Sequence, residues 1–127
     1  MIHETSFSLF LRENRKQREY TLSEMADKTG ISIGYYSDIE NGRRSPPDRE
    51  ILDKMIVALH LNKTDRAILY DLAGKARSAA PPDLPDYIND HQVVRAALRL
   101  AREKANDDDW WRFIKGLERK EALQCSN

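Results

Sequence analysis

Residues 21–46 read TLSEMADKTGISIGYYSDIENGRRSP, and they contain the clearest signals of local structure in the chain. Thr21 and Glu24 have the spacing of a capping box, in which each side chain accepts a hydrogen bond from the other residue's backbone N–H at the start of a helix. Gly30 can adopt the positive φ that ends a helix before a sharp turn, and Ser32 is typical of the residue that caps the next helix. The pattern predicts two short helices joined by a tight turn.

The sequence on both sides of this stretch is also helical in pattern. Apolar residues recur at spacings of three and four, and no segment combines two-residue alternation with strand-forming composition. We therefore predict an all-α fold. The seven predicted helices cover residues 6–18, 21–29, 33–40, 48–60, 64–73, 92–104 and 107–123.

Proline and glycine divide the chain into three parts. Gly74 is expected to close the fifth helix, and the proline-rich residues 75–90 cannot be continuous helix, so they are predicted to form a linker. The sequence thus predicts a five-helix domain at residues 1–74 and a C-terminal helical pair at residues 91–127.

Charge argues against binding to anionic polymers by bulk attraction, because 21 basic and 21 acidic side chains give the 127-residue chain a formal net charge of zero. Any such binding must come from a local patch. The basic side chains cluster at Arg12, Arg15, Lys16 and Arg18 in the first helix and at Arg43 and Arg44 after the third.

Several classes of protein are not expected. The longest apolar run, residues 55–59, is far too short to cross a bilayer, so we expect a soluble, cytoplasmic protein with no membrane partner. The lone Cys125 allows no internal disulfide. No catalytic or phosphate-binding motif occurs, so neither an enzyme nor a cofactor is expected. A metal site is not expected either, because the histidines are scattered: His3, His60 and His91.

The packing residues of the two motif helices complete a recognisable pattern. Ala26 must be small because the second helix crosses over it, and Ile39 lies late in that second helix. Residues 21–32 and 36–44, with Pro46, resemble the XRE family of bacterial and phage regulators, which have the lambda-repressor-like (Cro or phage-repressor type) helix-turn-helix. The resemblance covers about residues 6–74. It implies a five-helix DNA-binding domain, followed here by two C-terminal helices, in a sequence-specific transcriptional regulator that binds a double-stranded DNA operator.

The resemblance also implies roles for individual residues. The helix at residues 33–40 would lie in the major groove, with the base edges nearest to Ile33, Gly34, Tyr35 and Asp38. Backbone phosphates would be contacted by Ser32, Asn41, Arg43 and Arg44. Arg15 and Glu40 would form a partly buried salt bridge that ties the first helix to the third.

Base reading would be unusual, because the predicted reading face has no Arg, Lys, Gln or Asn. Ile33 can contact a thymine methyl group, Gly34 allows close approach, and Asp38 can accept a hydrogen bond from a cytosine amino group. Alternatively, Asp38 is a surface carboxylate screened by Arg43 or Arg44.

The last predicted helix is unusually aromatic. Trp110, Trp111, Phe113, Ile114 and Leu117 are more than one helix face can hide unless another surface covers them. That surface is either the N-terminal domain of the same chain or a second protein, and the two alternatives can both hold.

Two functions therefore remain open. The favoured one is a dimeric repressor whose C-terminal helices mediate assembly or receive a signal. The alternative is an antitoxin-type module that neutralises a toxin through those helices. A regulatory peptidase that cuts the proline-rich linker is a third kind of partner, suggested by family analogy only.

Overall fold

The computed structural model describes the backbone of residues 6–125 and the side chains of residues 7–124. His3 and the side chain of Cys125 lie outside this part. The described chain is all-α, as predicted, and has eight helices rather than seven. They are α1 (Ser6–Gln17), α2 (Leu22–Thr29), α3 (Ile33–Glu40), α4 (Arg49–Leu59), α5 (Lys63–Ala76), α6 (Pro85–Asp90), α7 (Gln92–Lys104) and α8 (Asp107–Cys125).

The chain divides into two compact units between Asp86 and Tyr87. In the first unit, α1 packs against α3 and α5, and α2 packs against α3 and α4. All five helices contribute to one hydrophobic core, and its burial supplies most of the driving force for folding. Its fully buried side chains include Phe7, Leu11, Met25, Tyr36, Ile39, Leu52, Met55, Leu59, Leu69 and Ala73.

The caps of the two motif helices are those that the sequence predicts. The Thr21 hydroxyl accepts from the Glu24 backbone N–H at 3.0 Å, and the Glu24 carboxylate accepts from the Thr21 N–H at 3.1 Å. Gly30 follows α2 with φ of 71°. The Ser32 hydroxyl accepts from the Tyr35 N–H at 3.1 Å and starts α3. These local contacts fix the length of both helices and the turn between them.

The predicted end of α5 at Gly74 is wrong, because the helix continues to Ala76. The following chain folds back on this helix, and the Ala79 N–H donates to the Gly74 carbonyl at 2.9 Å. A Cβ atom at Gly74 would lie 2.8 Å from the Pro81 nitrogen and 2.9 Å from the Ala80 carbonyl carbon. Glycine is therefore needed here for close approach of two backbone segments and not to end the helix.

The segment predicted to be a linker, residues 75–90, is less irregular than expected. Its first residues complete α5 and its last six form α6, which begins at Pro85. Proline can open a helix because its missing N–H would have no intrahelical partner at that position. The irregular part between the two helices is thus shorter than the composition suggests.

The second unit contains α7 and α8, which start close to the predicted residues. The Asn106 side chain accepts from the Asp109 N–H, and the Asp109 carboxylate accepts from the Asn106 N–H, both at 3.0 Å. The Asn106 N–H, together with the charge of Arg112, lowers the pKa of the Asp109 carboxyl. The two residues form a capping box that sets where α8 begins.

Candidate nucleic-acid interface

Helix α3 has one buried and one exposed face. Tyr36 and Ile39 are fully buried in the core. On the opposite side, Ile33 is 52% exposed and Gly34 is exposed. Apart from its chain neighbours and the backbone of its own helix, nothing lies within 4 Å of where a Cβ of Gly34 would be. The first turn of α3 therefore presents its backbone and one apolar side chain to the outside.

The far end of α3 is tied to α1 by the pair that the sequence resemblance implies. Arg15 donates from Nη2 to Glu40 Oε1 at 2.7 Å and from Nε to both carboxylate oxygens at 3.0 Å. The Glu40 side chain is only 3% exposed and that of Arg15 is 13% exposed. The hydrogen bond to Glu40 raises the pKa of Arg15 against the opposing effect of burial. Because two parallel hydrogen bonds join the guanidinium and the carboxylate, they fix the relative orientation of the two groups as well as their separation.

Two further α1 side chains hold the same end of α3. Arg12 Nη2 donates to the Glu40 carbonyl at 3.2 Å and to Asn41 Oδ1 at 3.3 Å. The Ser8 hydroxyl donates to the Ile39 carbonyl at 3.2 Å. Sequence reasoning missed both contacts. Ser8, Arg12 and Arg15 share one face of α1 at four- and three-residue spacings, and this signal could have found them.

The turn after α3, residues 41–44, is the exit turn. Gly42 has φ of 77°, in the left-handed region that favours glycine. The Arg43 and Arg44 N–H groups both donate to the Asp38 carbonyl, at 2.8 and 3.2 Å. The backbone of both arginines is thus anchored to α3.

The side chains of these arginines return toward the exposed face of α3. Arg43 Nη1 lies 3.8 Å from Asp38 Oδ1, and both side chains are well exposed. The Arg44 guanidinium lies over the Tyr35 ring, 5.5 Å from its centroid. Tyr35 and Asp38, two of the four residues predicted to read bases, therefore lie close to the two arginines predicted to contact phosphates. The Arg43–Asp38 contact fits the alternative of a screened carboxylate, and base reading by Asp38 stays a prediction.

The remaining predicted phosphate contacts already have intramolecular partners. Asn41 ends α3, its Oδ1 accepts from Arg12, and its Nδ2 donates to the Ser37 hydroxyl at 3.3 Å. The Ser32 hydroxyl accepts from Tyr35, but a hydroxyl also has a proton to donate. Arg43 and Arg44 remain the most accessible donors of this group.

Arg77, which follows α5, holds the loop beyond the exit turn. Its guanidinium donates to the Pro46 carbonyl. No pattern in the sequence connects these residues, which are far apart along the chain. The contact depends on α5 extending past Gly74, the point at which the sequence prediction ended it.

The Tyr36 hydroxyl lies in the core near the ion pair and is buried without a hydrogen-bond partner among the described residues. Burial, followed by the negative charge of Glu40, raises the pKa of Tyr36. A buried hydroxyl without a partner costs about 1–3 kcal/mol of stability.

We therefore expect Tyr36→Phe to leave the free energy of unfolding at neutral pH unchanged or to raise it by up to about 1 kcal/mol. Unfolded tyrosine has a pKa of about 10, below that of the folded chain, so the unfolded chain releases this proton first. The stability due to neutral Tyr36 is complete below pH ~10 and is lost as the pH rises above it. Urea titrations should show a steeper alkaline loss for the parent than for Tyr36→Phe.

Tyr70→Phe provides the control. The Tyr70 hydroxyl donates to the Asp53 carboxylate, and burial and that bond raise the pKa of Tyr70 to about 12. This variant loses a hydrogen bond and should be destabilised at neutral pH by about 1 kcal/mol. A loss of similar size in Tyr36→Phe would mean that its hydroxyl does have a partner.

The comparison with known families agrees with this geometry. The helix-turn-helix family model HTH_3 matches residues 11–65, which begin within α1 and end within α5. These residues contain both motif helices, the exit turn and the Arg15–Glu40 pair. Residues 11–65 thus match the helix-turn-helix family. The resemblance to XRE-type helix-turn-helix regulators that the sequence predicts is thereby confirmed.

Proteins similar to this chain include two regulators. It is 33% identical over 52 residues to the HTH-type transcriptional regulator SinR of Bacillus subtilis, covering 41% of this chain and 47% of SinR. It is 41% identical over 51 residues to the transcriptional regulator ClgR of Mycobacterium tuberculosis, covering 40% of this chain and 45% of ClgR. The chain thus spans about half the length of these relatives. A crystal structure of SinR in complex with DNA is 29% identical, covers 46% of this chain and 95% of that one, and gives a TM-score of 0.42.

The C-terminal unit exposes many of its apolar side chains. The aromatic rings of Trp110 and Phe113 make an edge-to-face contact with their centroids 6.2 Å apart. Yet Trp111 and Phe113 are each 58% exposed. All five predicted interface residues are exposed: Trp110, Trp111, Phe113, Ile114 and Leu117.

The described residues include neither a metal-binding cluster nor a membrane-spanning helix. No group of three or more His, Cys, Asp or Glu residues there could hold a metal ion. None of the described helices combines the length and apolar character needed to cross a membrane.

Proposed function

We propose that this protein is a sequence-specific DNA-binding transcriptional regulator that acts as a dimeric repressor. The observation that carries the proposal is the exposed first turn of α3 beside the two exposed arginines of the exit turn, on a helix whose opposite face is buried. Rigid support behind an exposed helix is what insertion into a major groove requires. The match of residues 11–65 to the helix-turn-helix family and the regulators among the relatives support the same function.

In the proposed complex, phosphate contacts position the protein and do not read sequence. The N-terminus of α3 favours an anion because its backbone N–H groups and dipole point outward. The arginine side chains of the exit turn add two positive charges. The proposed phosphate contacts are Ser32, Asn41, Arg43 and Arg44.

The proposed base contacts come from the exposed face of α3. Ile33 would pack against a thymine methyl group, and the absent side chain at Gly34 would let the backbone approach the bases closely. Tyr35 and Asp38 complete this face. Sequence preference would then rest on shape and apolar contact more than on the two-pronged hydrogen bonds that arginine or asparagine makes.

Dimerisation is proposed because one α3 covers only a short half-site. A dimer presents two copies of α3 at a spacing of about one DNA turn, roughly 34 Å. The uncovered apolar surface of the C-terminal unit is the part of the chain proposed to bring the copies together. The same surface also suits a different protein, such as a toxin, so it supports the alternative antitoxin function as well.

The DNA-binding proposal is tested by salt dependence. We expect fluorescence anisotropy to show specific binding to a fragment selected from a random DNA library, with the logarithm of affinity falling against the logarithm of salt with a slope of about −2 or steeper per protomer. The Arg43→Ala/Arg44→Ala variant should flatten that slope by about 2. Equally weak binding of the parent to every fragment would reject the proposed function.

A further inference from the structure

Tyr35 and Arg44 form a contact between the first turn of α3 and the exit turn that follows its end. The guanidinium carbon of Arg44 lies 5.5 Å from the centroid of the Tyr35 ring. A guanidinium over an aromatic face is attracted by the negative electrostatic potential of that face. The contact therefore orients a long, exposed side chain that would otherwise sample many rotamers.

Both ends of this contact are fixed by other groups. The Tyr35 N–H donates to the Ser32 hydroxyl that caps α3, and the Tyr35 ring is half-buried and packs against the core. At the other end, the Arg44 N–H donates to the Asp38 carbonyl at 3.2 Å. The ring is thus a fixed platform, and the backbone of Arg44 is held near it.

A contact with an aromatic ring leaves an arginine's positive charge uncompensated, whereas an ion pair does not. Arg43 lies 3.8 Å from the Asp38 carboxylate, so part of its charge is already compensated. The contact of Arg44 with the Tyr35 ring brings no carboxylate to its guanidinium, and one ring face can engage only some of the five N–H donors. Arg44 is therefore held in place with its donors still able to bind a phosphate.

We propose that Tyr35 acts through its ring as the positioning residue for Arg44, holding the guanidinium where it meets a DNA phosphate. This inference rests on the proposed DNA binding and changes the role of Tyr35, which the sequence resemblance assigns to base reading. The hydroxyl of Tyr35 contributes nothing essential in this role. Its ring lowers the entropy that Arg44 loses on binding.

The experiment measures how tightly two variants of the full chain bind the DNA site that is selected with the parent protein. Tyr35→Phe keeps the ring and should bind within about twofold of the parent. Tyr35→Leu removes the ring and should bind about two- to fivefold more weakly, the fold-change expected for an exposed cation–π contact. If Tyr35→Leu does not fold, Tyr35→Met supplies apolar volume without a ring. Thermal melts establish that each variant is folded at the temperature of the binding assay.

A double-mutant cycle identifies the arginine involved. Tyr35→Leu should cause little further loss in an Arg44→Ala background, because the ring then has nothing to position. In an Arg43→Ala background, the matched control, Tyr35→Leu should cost its full fold-change. NMR of the free protein gives a readout without DNA: the Arg44 side-chain signals should carry a ring-current shift in the parent and in Tyr35→Phe, and lose it in Tyr35→Leu.

Several results would overturn the inference. Equal losses for Tyr35→Phe and Tyr35→Leu would mean that the hydroxyl contacts DNA. Additive losses with Arg44→Ala, or ring-current shifts that do not change in Tyr35→Leu, would mean that the ring does not position this arginine. Absence of specific binding by the parent would reject the proposed function, and the inference with it, whereas the other outcomes reject the inference alone.

Discussion

Replacing Arg15 by alanine is expected to lower the free energy of unfolding by about 3–5 kcal/mol, because it leaves a buried charge without its main partner. Glu40 is only 3% exposed and receives three hydrogen bonds from Arg15. Arg12 Nε remains 3.8 Å from the carboxylate and compensates part of the loss. The value should therefore lie toward the lower end of the range.

Urea unfolding monitored by circular dichroism measures this loss. The double variant Arg15→Met/Glu40→Leu should lose less than Arg15→Ala, since no unpaired charge remains. Lys16→Ala, which removes an exposed neighbouring charge from the same helix, is the matched control and should change stability by no more than about 0.5 kcal/mol. A urea unfolding curve of Arg15→Ala that coincides with that of the control would mean that Glu40 is hydrated in solution.

The sequence predicts well the helix boundaries that are set by contacts between residues close together in the chain. Thr21, Glu24, Gly30 and Ser32 contact backbone groups within four residues, so their spacing alone is sufficient to predict the two helices. The alternation of buried and exposed residues likewise follows from helical geometry. These features identify the motif before any tertiary contact is known.

The errors occur where a residue acts through a distant segment. The sequence predicts that Gly74 ends a helix, whereas the backbone of Ala80 and Pro81 lies against it. Composition also suggested a linker at residues 75–90, although Pro85 opens a helix there. A glycine or proline has several structural uses, and the sequence nearby does not say which one applies.

The side-chain partners within the candidate site were harder still to predict. Arg43 and Arg44 are evident in the sequence, but their contacts with Asp38 and Tyr35 depend on how the exit turn reverses at Gly42. Exposed contacts of this kind are weak and leave no periodic pattern. The resemblance therefore points to this face of α3 as the candidate site, and it does not show how the side chains of that face contact one another.

The C-terminal unit raises the question of what covers its apolar surface. No residue of α7 is buried. An open groove of ≈ 570 Å³ is lined by apolar residues that include Tyr87, Val94, Leu98, Trp110 and Phe113. Two helices without a closed core are not expected to be stable in isolation, and exposed apolar patches of this kind mark interaction sites.

We expect the full chain to sediment as a dimer at micromolar concentration and Phe113→Glu to sediment as a monomer. A carboxylate in the groove would have to be desolvated on association, which is unfavourable without a partner charge. Loss of the dimer should weaken operator binding by on the order of a hundredfold or more, because the second half-site is then no longer bound intramolecularly. Analytical ultracentrifugation and anisotropy with a two-half-site operator measure the two effects.

Val93→Glu is the matched control, since Val93 is on α7, is 81% exposed and does not line the groove. It should leave both the dimer and operator affinity unchanged.

A parent that stays monomeric at high micromolar concentration would reject dimerisation through this unit. Tryptophan fluorescence would then separate the remaining alternatives. Buried tryptophans would indicate that these helices pack within their own chain. Water-exposed tryptophans would leave the surface for a different protein, as the antitoxin alternative requires, because hydrophobic side chains of this size are too costly to leave uncovered without a binding role.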